Sequence, residues 1–417
     1  ELRKRRNKAV MKGMRWLHRY LTANKCEALI DIGDDGACIF FEIWYTSASS
    51  TVRCAAQGIA VDLLQKYERH LLRPKECKCK RCSDGIREEP SGKDLFMQLM
   101  YLVRCKEEMD LDTTEMLATA DALWKESGFS DTSELFGVSP GDFPNVSDGD
   151  WVVLIMGIMA MEFNQLLFPK RWPLRWGLRE AFTYFRTHAY KGPPYDDGYK
   201  FHDSFYLITH IAFAVSAYSA IKMNTKDVPW LFDYCRRSCR YWVQMADRRL
   251  SGKEPEQLVD IDGLAEAVDV MRGCGLTDGG DRLLCSSALT LLAFQRPDGS
   301  WPYWILAGGA ADRKGEKDRG PLAREPKEAS HYNMVHPTWT AVQSLRDRNF
   351  EYDRKGNAQW AQYMDKLLKQ TNLRKLDVRI VYEKKRKKSK ASLLEDRAKV
   401  KETTDSVSTS ASSASPS

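Results

Sequence analysis

Apolar residues recur at the spacing of an α-helix through nearly the whole chain, which leaves little room for a sheet. Such stripes cover 8–30, 50–72, 93–109, 113–127, 149–168, 174–190, 201–223, 228–249, 254–273, 280–295, 335–349 and 355–372. Gly128, Pro193-Pro194, Gly273, Gly275, Pro297 and Gly299 interrupt them, as residues that end helices and turn the chain. Strand-like runs are few; Ala37–Tyr45 reads equally as a strand or as the opening of a helix. The pattern predicts an all-α protein of about twelve helices in six hairpins, with longer connections at 75–92, 129–148 and 305–332. Stacked hairpins make either an open solenoid or a closed ring. No exact repeat recurs at a fixed period of 20–50 residues, which favours the ring.

Charge divides the chain further. The net charge of +7 resides in the ends: residues 1–20 carry +7, residues 374–417 carry +6, and the stretch between them carries −6. A body that bound nucleic acid would show the opposite distribution, so nucleic acid is not an expected partner. The expected domains are a basic flank at 1–7, a helical domain at 8–373 and a tail at 374–417 that is basic, then Ser-rich. Ser406–Ser417 has too little apolar surface to order itself, so this tail is expected to be disordered. Lys384–Lys388 has the composition of a nuclear address or of a contact for an anionic partner. The apolar run Trp151–Met161 stops at Glu162, well short of the ~18 residues of a membrane span, so no span is expected. The odd count of 11 cysteines, several inside helical patterns (Cys54, Cys105, Cys235, Cys239, Cys285), fits a reducing compartment. A cytoplasmic location follows, with a nuclear one as the alternative; a chain that begins at Glu1 leaves room for a lost targeting peptide. Cys79-x-x-Cys82, beside Cys77, is half a zinc site with no second pair nearby. There is no phosphate loop, no nucleophile elbow and no dinucleotide fingerprint.

The segment Leu289–Trp304 has an internal logic. An apolar helix ends at Gln295, Pro297 and Gly299 turn the chain, and Trp301 returns an aromatic ring toward the helix ends. Further on, His336-Pro337-Thr338-Trp339-Thr340 reads as a helix start, with Pro in the first turn. Gln295-x3-Gly299-x-Trp301 followed by Thr340-Ala341-x3-Leu345 resembles the α/α-toroid superfamily of terpene cyclases and protein prenyltransferase β subunits. There a Gln-x(2–5)-Gly-x-Trp unit closes one hairpin and a Thr-Ala-x-x-x-Leu helix opens the next. The resemblance implies an (α/α)6-type toroid, and it implies that Gln295 and Trp301 brace the scaffold.

The resemblance also implies where to look for chemistry. Class II cyclases protonate an alkene from a buried Asp-x-Asp-Asp; this chain offers Asp260-Ile261-Asp262-Gly263, which lacks the last Asp, and Asp31-x2-Asp34-Asp35, which departs in spacing. Both lie at helix starts, where Asp serves as a cap, and the capping role is the expectation for them. Class I cyclases bind magnesium through a helical Asp-Asp-x-x-Asp/Glu run; Asp196-Asp197 lies instead in a Pro/Gly loop. Prenyltransferases hold zinc with Asp-x-Cys and a later His. His336 matches that His in position, while Asp281 and Cys285 depart from the spacing. Zinc and magnesium therefore both stay open as cofactors, and no residue is assigned to a metal.

The densest polar group on an apolar helix is His202, Asp203, Tyr206, Thr209 and His210. Asp203 and His210 lie within about 20° of one face, but an i,i+7 rise of ~10.5 Å calls for a bridge, which Tyr206 would supply. Such groups are costly to bury unless they are bonded or used. The expected site is a ring cavity with Asp203, Tyr206, His210 and His336 as catalytic groups, His210 moving the proton. His202, Glu42, Tyr45, Arg53 and His331 are the expected substrate contacts; Arg53, a cation at a helix start, calls for a carboxylate or an anion. The expected function is a terpene-cyclase- or prenyltransferase-like enzyme (cyclase, lyase or transferase) acting on a small apolar or isoprenoid-like molecule in an aromatic cavity. A carbohydrate-active (α/α)6 enzyme and a non-catalytic toroid scaffold are the alternatives.

Overall fold

A computed structural model describes residues 1–381 except 24–25, 77–90, 170, 194–198, 252–258, 303, 306–329, 351–354 and 374–378. The Cys77/Cys79/Cys82 cluster, Asp196-Asp197, Lys384–Lys388 and the Ser-rich tail lie outside the described residues, which fall in one unit, Glu1–Val381.

The protein is all-α. Its described helices are α1 (Leu2–Thr22), α2 (Glu27–Ile32), α3 (Asp34–Thr46), α4 (Ser50–Leu72), α5 (Gly92–Glu108), α6 (Thr114–Ser127), α7 (Thr132–Phe136), α8 (Asp148–Leu167), α9 (Leu178–Phe185), α10 (Tyr199–Ser216), α11 (Pro229–Leu250), α12 (Ile261–Gly273), α13 (Arg282–Ala293), α14 (His331–Leu345) and α15 (Lys355–Gln370). All twelve apolar stripes are helical at least in part, and Ala37–Tyr45 resolves as part of α3. Side chains of Ser49, Ser91, Ser147, Asp260, Asp281 and Ser330 accept from backbone N–H groups in the first turns of α4, α5, α8, α12, α13 and α14. Two short strand pairs complete the described structure: Ala189–Lys191 lies parallel to Arg379–Val381, and Val259–Asp260 antiparallel to Trp304–Ile305. The first pair continues described structure past the boundary expected at 373.

The packing order places the site. α3 packs on α5, α5 on α8, α8 on α10, α10 on α12 and α12 on α14. α14 returns to the start through α2, which packs on α3, and through a hydrogen bond from Gln343 to Glu42 of 2.7 Å. α4, α6, α9, α11 and α13 pack against members of this circuit. Six helices thus follow one another around a closed path, and each turns one face to its interior. α8 is long and apolar enough to cross a bilayer by length and composition, but most of it is buried inside the fold, as in a core helix.

The Gln-Gly-Trp unit joins three helices. Gln295 Nε2 donates to the Ala9 carbonyl of α1 at 2.9 Å and to the Gly299 carbonyl at 3.1 Å. Trp301 Nε1 donates to the Leu291 carbonyl at 2.7 Å, and its backbone N–H donates to Thr338 Oγ1 of α14 at 3.0 Å. Gly299 has φ +106°, and a Cβ there would stand 2.7 Å from the Lys12 carbonyl oxygen. Gly299→Ala should therefore lower the unfolding free energy by about 1–3 kcal/mol. A urea titration checks this, and an unchanged midpoint contradicts it.

One helix start differs from the sequence expectation. α14 begins at His331, with Ser330 as its cap, so Pro337 lies inside the helix rather than in its first turn. The Ser330 cap supplies the earlier start. This extension puts Tyr332 and His336 on one face, one turn apart, with their rings stacked at 4.8 Å.

Candidate functional site

The closed circuit surrounds a cavity of about 580 Å3. Residues from all six helices line it: Asp34, Asp35 and Glu42 from α3, Met97 and Tyr101 from α5, Met156 and Gly157 from α8, His210 and Phe213 from α10, Glu266 and Asp269 from α12, and Tyr332, His336, Trp339 and Thr340 from α14. Phe136 and Tyr218 add rings from α7 and from the turn after α10. The lining combines aromatic and aliphatic side chains with carboxyls and imidazoles. The size suits a small-molecule ligand.

Asp262 anchors the polar part. It is fully buried and accepts from His336 Nδ1 at 2.9 Å and from Thr340 Oγ1 at 2.7 Å on Oδ1, and from the Tyr206 hydroxyl on Oδ2. Burial favours its neutral form, but the His336 imidazolium and these three donors outweigh burial and hold Asp262 below the usual carboxylate range. Burial likewise opposes charge on His336, yet Asp262 and then Glu266 raise it to about 9. With Nδ1 on Asp262, the nitrogen left toward the cavity is Nε2, 3.9 Å from Glu266 Oε1. Glu266 accepts from Thr209 Oγ1 at 2.5 Å, and burial, followed by the Asp262 charge, raises it to about 8.

His210 has the opposite character. Its Nδ1–H donates to the Tyr206 carbonyl at 2.7 Å, one turn back on its own helix. Burial lowers it to about 4, so at neutral pH it is an uncharged imidazole with an open lone pair on Nε2. Burial also raises Asp34 and Glu42 to about 8 each. The cavity therefore holds a protonated imidazole, a neutral one and several neutral carboxylic acids side by side. Environments that push like groups apart in this way set up distinct acid and base roles.

Asp262, Glu266 and His336 present ligand atoms within 4.8 Å of one another, close enough for a cation. A cation there would have to displace the extra proton that Asp262 and Glu266 hold on His336, so proton and cation compete for this site.

The pKa directions fix a pH dependence. Glu42, Glu266 and Asp34 have native values near 8, above those of the unfolded chain, so the native state holds the extra protons between about pH 4.5 and 8 and loses this stabilisation as pH rises. His336, raised to about 9, stabilises fully below about 6.5 and ceases to as pH passes 9. His210 acts in the other sense and stabilises only above its depressed value, losing that stabilisation as pH falls from about 6.5 to 4. The melting temperature should thus fall between pH 7 and pH 10. A scanning calorimetry series checks this, and a flat or rising profile contradicts it.

Of the expected site residues, His210, His336 and Glu42 line the cavity, and Tyr206 stands behind the lining, bonded to the Asp262 that holds His336. Asp203 is not among them. Its side chain is 45% exposed and lies 3.7 Å from His202, away from the lining, and Tyr206 reaches to Asp262 instead. The His202 ring lies against Tyr206 at a tilt, with ring centroids 4.5 Å apart, behind the lining. Tyr45 donates to Glu108 at 2.6 Å outside the cavity wall. His331 meets the Tyr20 hydroxyl at 2.9 Å, and Arg53 is half-buried on α4; neither lines the cavity. The capping expectation holds for Asp260, whose Oδ1 accepts from Gly263 N at 2.8 Å. It does not describe Asp262, which bonds across to α10 and α14; Asp34 and Asp35 stand in the first turn of α3, where the Asp34 carboxyl takes backbone hydrogen bonds, and both also line the cavity.

Glu266 and Asp269 had no place in the sequence reading. Their signal is the spacing Asp262, Glu266, Asp269 along a helix otherwise built of Leu264, Ala265, Ala267, Val268 and Val270. That spacing puts three acids on one face of a fully buried helix. Compared with protein-family models, curated proteins and solved structures, the chain matches none.

Proposed function

We propose that this protein is an enzyme of the α/α-toroid class, similar in kind to terpene cyclases and protein prenyltransferase β subunits, that puts a proton onto an apolar or isoprenoid-like substrate and takes one off. The observation that carries this reading is the pairing, in one aromatic cavity, of an imidazolium held by a buried carboxylate (His336 on Asp262) with a neutral imidazole (His210).

In this reading Asp262 fixes the tautomer and charge of His336. The Nε2–H of His336, beside protonated Glu266, gives its proton to a substrate C=C bond, whose π electrons form the new C–H bond. The carbocation left behind lies among Tyr332, Trp339 and Phe213, whose π faces attract positive charge. The neutral Nε2 of His210 then accepts a proton from an adjacent carbon, which restores a double bond. This departs from the Asp-x-Asp-Asp scheme, in which an Asp is the donor. Gly263 stands at the last Asp position, and both Asp262 oxygens already accept hydrogen bonds.

Carboxyls on different walls, Glu42 on α3 and Glu266 on α12, support a second reading as a carbohydrate-active ring with an acid and a base carboxyl. The open cavity favours either reading over a filled scaffold. The test is to incubate the protein in D2O with isoprenoid alkenes and, separately, with oligosaccharides, and to read the products by mass spectrometry. Deuterium on a product carbon supports the first reading, and release of reducing ends supports the second. No turnover of either, with no small molecule co-purifying, contradicts the enzyme reading.

A further inference from the structure

We propose that Cys38 on α3 and Cys105 on α5 form a dithiol that a small hydroperoxide closes to a disulfide, tying these two cavity helices together. Their sulfurs lie 3.2 Å apart across 67 residues of chain, both as free thiols. A bond needs an S–S distance of about 2.0 Å, which rotation of the two side chains can supply without moving either helix far. Neither thiol is exposed to bulk water. Both line a small cleft with Phe41 and Arg104, and that cleft shares Asp34, Asp35, Glu42, Tyr101 and Tyr218 with the main cavity. In this proposal the oxidant is a molecule the size of hydrogen peroxide that enters from the cavity side, since a protein oxidant is too large to approach the buried sulfurs.

The chemistry balances. One thiol, as its thiolate, attacks a peroxide oxygen; the O–O bond breaks and a sulfenic acid forms, with water or an alcohol leaving. The second thiol attacks the sulfenic sulfur, forms the S–S bond and expels water. Two thiols are oxidised and one hydroperoxide is reduced. The surroundings set the rate. Contact with Cys105, then burial and the Asp34 and Glu42 carboxyls, pushes the Cys38 thiol well up. Asp35, Tyr101 and Tyr218 also face the cleft, and Arg104 is the one cation among the described residues that line it. Closure is accordingly slow near neutral pH and speeds up as pH rises. The inference is independent of the proton chemistry proposed above, since it needs only the two helices and the cleft.

The test treats the full chain with hydrogen peroxide, stops with catalase, unfolds and alkylates, and maps peptides without reduction. A Cys38–Cys105 linked peptide should appear, with an intact mass lower by about 2 Da and reversal by dithiothreitol. The oxidised protein should melt at a higher temperature, because the bridge closes a long loop of the unfolded chain. A molecule that fills the cavity should slow closure, and Cys105→Ser should abolish the linked peptide. The wild-type map carries the test by itself. Exposed Cys54 is the internal control. Recovery of Cys38 and Cys105 as thiols or sulfinic acids after Cys54 has oxidised, or linkage of either to a different cysteine, overturns the proposal.

Discussion

Asp262→Asn should reduce turnover of an accepted substrate by about 10²–10⁴-fold, the range for loss of a positioned acid. The substitution keeps the shape of the side chain and an oxygen for Thr340 or Tyr206. It removes the charge that outweighs burial and keeps His336 protonated. Without that charge the buried imidazole reverts to neutral at working pH, and the cavity keeps two neutral imidazoles and no imidazolium. Removing one partner of a buried pair is also destabilising, by about 3–5 kcal/mol if the other stays charged. Loss of the His336 proton makes the actual cost smaller. The checks are kcat/KM across pH with melting curves alongside. His336→Gln should show a similar loss without the pH dependence, because Gln donates a hydrogen bond but does not titrate. Full activity of Asp262→Asn in a folded protein contradicts the assignment.

Trp301→Ala should have the largest effect on stability, about 3–5 kcal/mol, as for other fully buried aromatic residues. The ring is only 2% exposed, and its indole N–H holds the Leu291 carbonyl near the end of α13. It also packs against Gly13 of α1, where a Cβ would stand 2.9 Å from the ring. The substitution leaves a cavity at the junction of α1, α13 and α14 and frees a helix-end carbonyl. Trp301→Phe should recover most of the packing and lose the hydrogen bond, at about 1–2 kcal/mol. Guanidinium unfolding followed by circular dichroism measures both. A loss below about 1 kcal/mol for Trp301→Ala contradicts the bracing role.

The helices were the most legible part of the sequence, because a stripe such as 50–72 needs only local information and α4 matches it end to end. The short helices α2 and α7 were not, since six and five residues hold too little period to register. The site was half legible. Tyr206, His210, His336 and Glu42 stood out as polar groups in apolar surroundings, and burial is what makes such groups conspicuous. Asp262 was hidden by its position. An Asp in a first helical turn is ordinarily part of a cap, and only the partners contributed by α10 and α14 mark it as something else. Asp203 misled for the converse reason: helical angle alone places it near His210, while two turns of rise carry it out to the solvent-facing end of α10.

The central claim is the charge state of one residue, and a pH titration of the His336 imidazole by nitrogen-15 NMR tests it most directly. The account predicts that His336 keeps its proton through neutral pH and titrates near 9, that His210 stays neutral down to about 4, and that Asp262→Asn brings His336 down toward or below the ordinary histidine value. A His336 that is already neutral at pH 7 in the unmodified protein, or one whose titration ignores Asp262→Asn, contradicts it.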